Sequence, residues 1–369
     1  MRCNYFGICG SCTLYNMSYQ EQLDYKVNQI KEDFELENID ILTSKESHFR
    51  NRSEFKIYHD EDKITYAMSR LDRKGVIRIS SCSIISPIID KFMPILIQEI
   101  EPIRILEHKL FAIEFLSSTT NNLLITLIYH KKIDQEWEDE AKKLSQKLNI
   151  EIIGRSRKIK RVINKEYINE TLTINQKDYH YRLYDTGFTQ PNALVNQKMV
   201  GWVKKQIKKT DNDLLELYCG HGNFTIPLSE QFRSLLATEI SKTSIKTAKE
   251  NCILNSIENI DFIRLSSEEL TSALKKEREF NRLKDIDLDQ YNFSHVFVDP
   301  PRAGLDEKTL NFISQFKNII YISCNPQTLK RDLELLKDKF KIQNFAVFDQ
   351  FAYTLHLECG VILKSIEKG

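Results

Sequence analysis

Three short segments carry residues whose types and spacing could do chemistry: Val298-Asp299-Pro300-Pro301-Arg302, Ile322-Ser323-Cys324-Asn325-Pro326 and Leu357-Glu358-Cys359-Gly360. A thiol, a carboxylate where a strand should end and a second carboxylate all follow an apolar stretch that runs into a glycine turn, Leu214 to Phe224. Asn325 is a good helix N-cap and Pro326 a favoured first helical residue, so the Cys324 thiol is expected at a helix N-terminus. The helix dipole there lowers a thiol's pKa and favours the thiolate. A lone cysteine is otherwise a packing residue. Its position at a strand end beside a nucleotide crevice favours a nucleophile.

A thiol and a carboxylate in this order suit methylation at C5 of a pyrimidine. C5 of uracil is a poor nucleophile until a thiolate adds to C6 and turns the ring into an enolate. The enolate carbon can take a methyl group from a sulfonium, and a base must then remove the C5 proton so that the thiol is eliminated. Cys324 is the candidate nucleophile and Glu358 the candidate base. Periodicity does not assign the base by itself. Leu355, Leu357, Cys359, Val361 and Leu363 share one face of a strand, with His356 and Glu358 on the other, which is also how an exposed edge strand reads.

The glycine turn, Cys219-Gly220-His221-Gly222-Asn223, lacks the third glycine of a dinucleotide fingerprint, which lets a helix and strand pack closely beside a pyrophosphate. S-adenosylmethionine has no phosphate and needs only close backbone approach, at Gly220 for example. Glu239 ends the next strand at the spacing where an acid accepts both ribose hydroxyls. A tight turn followed by a solvated Glu would look the same. Asp299 is held extended by the prolines after it, as a plain rigid loop would also be. Adenine-amino methyltransferases carry an aromatic residue where this chain has Arg302, which argues against amino-group methylation.

The elements that must position these residues form two patterns. Ser18 to about Glu37 reads as a helix with a capping box from Ser18 to Glu21. From about Arg50 to Ile168 the pattern is α+β, with strands near Phe55–Tyr58, Ile64–Met68, Phe111–Leu116 and Leu123–Tyr129 and a helix over Asp134–Leu148. From about Asp185 strands and helices alternate: strands at Leu214–Tyr218, Leu235–Thr238, Ile260–Ile263, Val296–Val298 and Ile319–Ser323, helices at Ser241–Leu254 and Pro326–Phe340. That alternation implies an α/β, doubly wound parallel sheet with its ligand at the carboxyl ends of the strands. The tail strands, Ala346–Phe348 and Leu355–Leu363, are expected to add an antiparallel edge. The expected boundaries are a Cys-rich segment at 1–14, a helical segment at 15–47, an α+β domain at 48–175 and a Rossmann-like domain at 176–369.

The 369 residues carry 53 Lys and Arg against 52 Asp and Glu, a formal charge of +1, so no overall field marks a nucleic-acid partner. No apolar run is long enough to span a bilayer and the start lacks a signal-peptide core, so a cytoplasmic protein with no membrane partner is expected. In a reducing compartment the clustered Cys3, Cys9, Cys12 and Cys82 point to a metal.

Together these residues are similar to the uracil-C5 methyltransferases of RNA, nearest to the branch that makes ribothymidine at position 54 of the tRNA T-loop. The resemblance covers nearly the whole chain and is densest in Phe188–Asn192, Leu214–Phe224, Ala237–Ile240, Arg278–Leu283, Phe297–Leu305, Ile322–Leu329 and Asp349–Val361. It implies a Rossmann-like methyltransferase domain behind an N-terminal RNA-binding domain. It also implies Gln190, Tyr218, Asn223, Glu239 and Asp299 as S-adenosylmethionine contacts, Cys324 as nucleophile and Glu358 as base. The small β-barrel that opens many ribosomal-RNA relatives is not expected here, since the chain leaves no room for one before Cys3.

Cys3-x5-Cys9-x2-Cys12 with Cys82 resembles the [4Fe–4S] ligand set of a ribosomal-RNA branch, with Cys9-Gly10-Ser11-Cys12 where that branch reads Cys-Gly-Gly-Cys. Zinc and four plain thiols are the alternatives. The basic runs Arg155–Arg161 and Phe49-Arg50-Asn51-Arg52 with Lys56 could face phosphate without reading sequence. Phe49, Phe55 and Tyr58 are either core residues or stacking platforms. The tRNA T-arm is the expected partner of a monomeric enzyme, and the target uridine must be flipped out to reach the thiol. The same chemistry on 23S ribosomal RNA, a non-catalytic tRNA-folding chaperone and a redox sensor built on the N-terminal cysteines are the rivals.

Overall fold

The computed structural model describes residues 1–61 and 63–366. Its N-terminal part opens with helix α1 (Tyr19–Phe34), started by the Ser18–Glu21 capping box, and the short strand β1 (Asp40–Leu42). Strands β2 (Arg52–Asp60), β3 (Lys63–Ser69) and β4 (Val76–Ile79) follow, then helices α2 (Pro87–Ile100) and α3 (Arg104–Glu107). Next come β5 (Leu110–Ser117), β6 (Leu123–Tyr129), helix α4 (Gln135–Leu148), β7 (Glu151–Ser156) and β8 (Ile159–Val162). These strands make a seven-stranded sheet in the order β4-β3-β2-β5-β6-β7-β8. Its apolar face closes over α2 and α4 around Met93, Leu96, Phe115 and Trp137.

A hairpin not foreseen from the sequence, β9 (Tyr167–Ile174) and β10 (Lys177–Tyr184), leads into α5 (Ala193–Gln206). Strand–helix alternation then runs through β11 (Asp213–Leu217), α6 (Thr225–Leu228), β12 (Leu235–Thr238), α7 (Lys242–Leu254), β13 (Ile260–Ile263) and α8 (Ser267–Leu274). It ends with β14 (Phe293–Val298), α9 (Glu307–Ile313), β15 (Asn318–Ser323), α10 (Pro326–Leu336), β16 (Phe340–Phe348) and β17 (Glu358–Ser365). The eight-stranded order is β1-β16-β17-β15-β14-β11-β12-β13. β11 to β15 are parallel. The chain winds outward from β11 through β12 to β13, then returns beside β11 as β14 and proceeds to β15. The switch point, where such sheets bind ligands, therefore lies at the carboxyl ends of β11 and β14.

The tail departs from expectation. β17 is not an edge strand; it lies antiparallel between β15 and β16, and β1 from the N-terminal segment covers the outer side of β16. β17 also begins at Glu358 rather than Leu355, because Asp349 to Leu357 form a folded turn anchored elsewhere. Its anchor is a fully buried ion pair from α1, Lys26 Nζ to Asp349 Oδ1 at 2.5 Å. Removing one member of such a pair strands a charge in an apolar interior, which costs about 3–5 kcal/mol. Lys26→Met is expected to lower the unfolding free energy by that amount in a urea titration, with K26M/D349L recovering most of it. A loss below about 1 kcal/mol would mean that the pair is dispensable.

Candidate active site

Period-two alternation decides which side chains meet. Leu214 of β11, Phe297 of β14 and Ile320 and Ile322 of β15 face one core cluster, whereas Leu215, Val298 and Tyr321 face the other. Glu216, Asp299 and Cys324 share the parity of the first set, so all three project to the same face, near the carboxyl ends of their strands. Ser323 is paired with Cys359, and one residue further along that register Cys324 comes beside Glu358. Gly360 fits this packing because a Cβ there would stand 2.8 Å from the Phe348 ring. A side-chain bond ties the two loops to each other: Asn325 Nδ2 donates to Arg302 O at 3.1 Å. The Asn325 side chain caps α10, as the sequence predicts.

The electrostatics follow from burial. Glu358 is 3% exposed, its Oε2 has no hydrogen-bond partner, and burial next to Asp299 pushes its carboxyl up to about 8. Burial alone pushes Asp299 up to about 7. The half-buried Cys324 thiol is pushed up rather than down, first by burial and then by Glu358 and Asp299. Its own backbone amide and Arg302 act in the opposite sense. The expected lowering by the helix N-terminus is thus outweighed by desolvation and two acid neighbours.

A small cavity of about 40 Å³ opens at the switch point, lined among others by Gln190, Glu216, Tyr218, Gly220, Asn223 and Asp299. A second, of about 20 Å³, adjoins it through Gln190, His221 and Asn223. Larger hollows of about 480, 660 and 510 Å³ on other faces contain none of the candidate residues, so size alone does not mark the site. The turn after β11 is strained where it must be. Tyr218 has φ 63° without being glycine, and Gly222, at φ 88°, would bring a Cβ to 3.2 Å from Ile226. Glu239 holds this turn, accepting from Gly220 N at 3.2 Å and Ser241 N at 2.8 Å. Gln190 Oε1 accepts from Gln350 Nε2 at 3.4 Å, and Gln350 Oε1 accepts from Asn192 N at 3.2 Å.

Asn223 is gripped by an amide the sequence reading missed, Asn196 of α5, through two reciprocal bonds of 2.7 and 2.9 Å. A polar residue on the buried face of a helix was the available signal. Asn196→Ala is expected to free the Asn223 amide and weaken cofactor binding by about five- to tenfold, near the worth of one hydrogen bond. Calorimetry would check it, and an unchanged affinity would remove Asn196 from the site.

Two expectations change. Among the described residues no group of three or more His, Cys, Asp or Glu side chains is arranged to hold a metal ion. The iron–sulfur and zinc readings of Cys3, Cys9, Cys12 and Cys82 therefore gain no support. Cys12 and Cys82 belong with the apolar cluster around Phe49 and Ile85, where burial pushes their thiols up to about 12 and about 11. The neighbouring thiols of Cys3 and Cys9 add to the upward shift of Cys12 and Cys82, so the four sulfurs lie near one another. The basic runs are largely consumed inside the protein. Arg52 donates to Glu114 and to the Asp185 and Gly187 carbonyls, Arg155 and Lys160 pair with Asp185, and Arg161 pairs with Glu138. Phe49 and Phe55 are core residues, whereas Tyr58, Lys56, Arg157 and Lys158 are exposed.

A doubly wound sheet with an antiparallel strand inserted near its end, and an acid-lined crevice at its switch point, is the Rossmann-like methyltransferase fold. The structure of the Pyrococcus abyssi tRNA (uracil-54, C5)-methyltransferase in complex with S-adenosyl-L-homocysteine superposes with a TM-score of 0.75 at 21% identity, covering 97% of this chain and 86% of that one. The family model described as tRNA (Uracil-5-)-methyltransferase matches residues 18–366, and the chain belongs to that family of enzymes. It is 53% identical to the tRNA/tmRNA (uracil-C(5))-methyltransferase of Aliarcobacter butzleri over 100% of both chains. It is 49% identical to that of Sulfurovum sp. over 99% of this chain and 100% of the relative. No helix among the described residues is long and apolar enough to cross a membrane.

Proposed function

We propose that this protein transfers a methyl group from S-adenosylmethionine to C5 of the T-loop uridine of tRNA, at position 54, through a transient bond between Cys324 and C6. The observation that carries the reading is the register pairing that brings Cys324 beside Glu358 on the same sheet face as Asp299. The names of its relatives supply tRNA as the substrate class.

The bound cofactor supplies an electrophilic methyl on a sulfonium. Gln190, Tyr218, Gly220, Asn223 and Asp299, which line the cavity at the switch point, would hold it, together with Glu239, which fastens the Gly220 turn. Cys324 adds its sulfur to C6, and the electron pair of the C5–C6 bond moves to C5, which takes the methyl. Glu358 then removes the C5 proton. The returning pair restores the double bond and expels the sulfur from C6. Glu358 suits this duty because a buried carboxyl with a raised pKa holds a proton strongly, and its ionised form is a stronger base than a solvated carboxylate. Residues 48–175 are the RNA-binding lobe, with Tyr58, Lys56, Arg157 and Lys158 available to the T-arm.

The test is transfer of labelled methyl to a tRNA transcript, with ribosomal RNA lacking the mark as the competing substrate. Label at C5 of the T-loop uridine is expected. Label in ribosomal RNA alone would move the substrate assignment, and no transfer to either RNA would defeat the reading.

A further inference from the structure

We propose that Glu216 is a further cofactor-contacting residue, and that with Asp299 it selects the cationic sulfonium of the methyl donor over the neutral thioether left after transfer. This rests on the methyltransferase reading above and concerns its cofactor cavity. Glu216 lies within β11, is 1% exposed, lines the cavity, and its Oε2 has no hydrogen-bond partner. The Thr225 hydroxyl faces this carboxyl and acts to lower its pKa, while Oε2 stays without a hydrogen-bond partner. A buried carboxyl with one oxygen unpartnered and no cation beside it is costly, and a structure keeps such a group mainly where a ligand completes it.

The surroundings specify the sign of that ligand. Among the described residues no lysine or arginine lines the cavity, and the histidine that does, His221, is pushed down to about 4 by burial and is neutral. The titratable groups facing Glu216 from neighbouring elements are Asp299 after β14, Cys219 after β11, Cys252 of α7 and Tyr181 of β10. Glu239 reaches the same neighbourhood through Cys219. All are acids or neutral groups. The donor and its product share the adenosine, the amino group and the carboxylate; they differ by one methyl and one positive charge. Two carboxyls with no cation between them favour the charged member, and favour it more once they ionise. Burial holds Glu216 up at about 8 and Asp299 at about 7, so ionisation falls within an accessible range.

Calorimetry with S-adenosylmethionine and S-adenosylhomocysteine, from about pH 6 to about pH 9, tests this. In the wild type the preference for the sulfonium should grow about tenfold across that range, while product affinity stays nearly constant. Glu216→Gln keeps the shape and should flatten most of that growth while leaving product affinity within about twofold. Loss of both ligands equally in E216Q, or a wild-type ratio independent of pH, would overturn the proposal. The wild-type arm needs no variant and stands even if E216Q folds poorly. A wild type that binds neither ligand would instead overturn the methyltransferase reading itself.

Discussion

Glu358→Gln protein incubated with tRNA and S-adenosylmethionine should accumulate as a covalent protein–RNA adduct that survives denaturing electrophoresis, while turnover falls by roughly 10³-fold, the scale of a positioned general base. The reasoning is positional. Glutamine fills the same buried place beside Cys324 and Asp299 but cannot accept the C5 proton, so thiol addition and methyl transfer proceed and elimination does not. In the wild type Glu358 is held up at about 8 by burial and by Asp299, so its base form grows as pH rises through that value. The elimination rate should rise with it and level off above, whereas E358Q should show no such rise. Normal turnover by E358Q would remove Glu358 from the chemistry. Loss of both adduct and methyl transfer, with cofactor still bound, would mean that it acts earlier, on the thiol.

Cys324→Ala should abolish methylation by on the order of 10⁴-fold or more and form no adduct, because without the thiol C5 never becomes nucleophilic. Cofactor affinity should remain within about twofold, since Cys324 is not among the residues that line the cavity. The two variants separate the steps, E358Q stopping after addition and C324A before it. The same experiment decides the chaperone alternative, under which C324A would keep its full effect on tRNA. In wild type the half-buried thiol is pushed up by burial and by two carboxyls, so RNA binding must help the thiolate form; adduct formation on 5-fluorouridine RNA should therefore also quicken with rising pH.

Much of this site was legible in the sequence because its parts are local. A strand entering a glycine turn, an acid at the next strand end, a proline-held Asp299 and an Asn-Pro cap after Cys324 are each written within a few residues. What the sequence hid is non-local. Lys26 and Asp349 stand 323 residues apart, and no pattern along the chain marks a buried lysine's partner. The basic run at 155–161 looked like a phosphate surface because charge in a sequence does not show its counter-ion, here Asp185 and Glu138. Phe49 and Phe55 were undecided because an aromatic on a strand reads alike inward and outward. Glu216 was passed over as one polar residue in an apolar strand, although that is the signal for it. The thiol shift had the wrong sign because the helix dipole is visible in the sequence and desolvation is not.

The place of β17 bears on how the protein is made. The strand that positions Glu358 is the last of those described to leave the ribosome, yet it fills a gap inside the sheet rather than its rim. Until it inserts, β15 and β16 present facing rows of unpaired amides flanked by Ile319, Ile320, Phe345 and Val347, all buried in the finished fold. Open edges of that kind invite pairing between chains. A translation product cut short before Glu358 should therefore aggregate or be degraded, not persist as a cofactor-binding protein that lacks only its base.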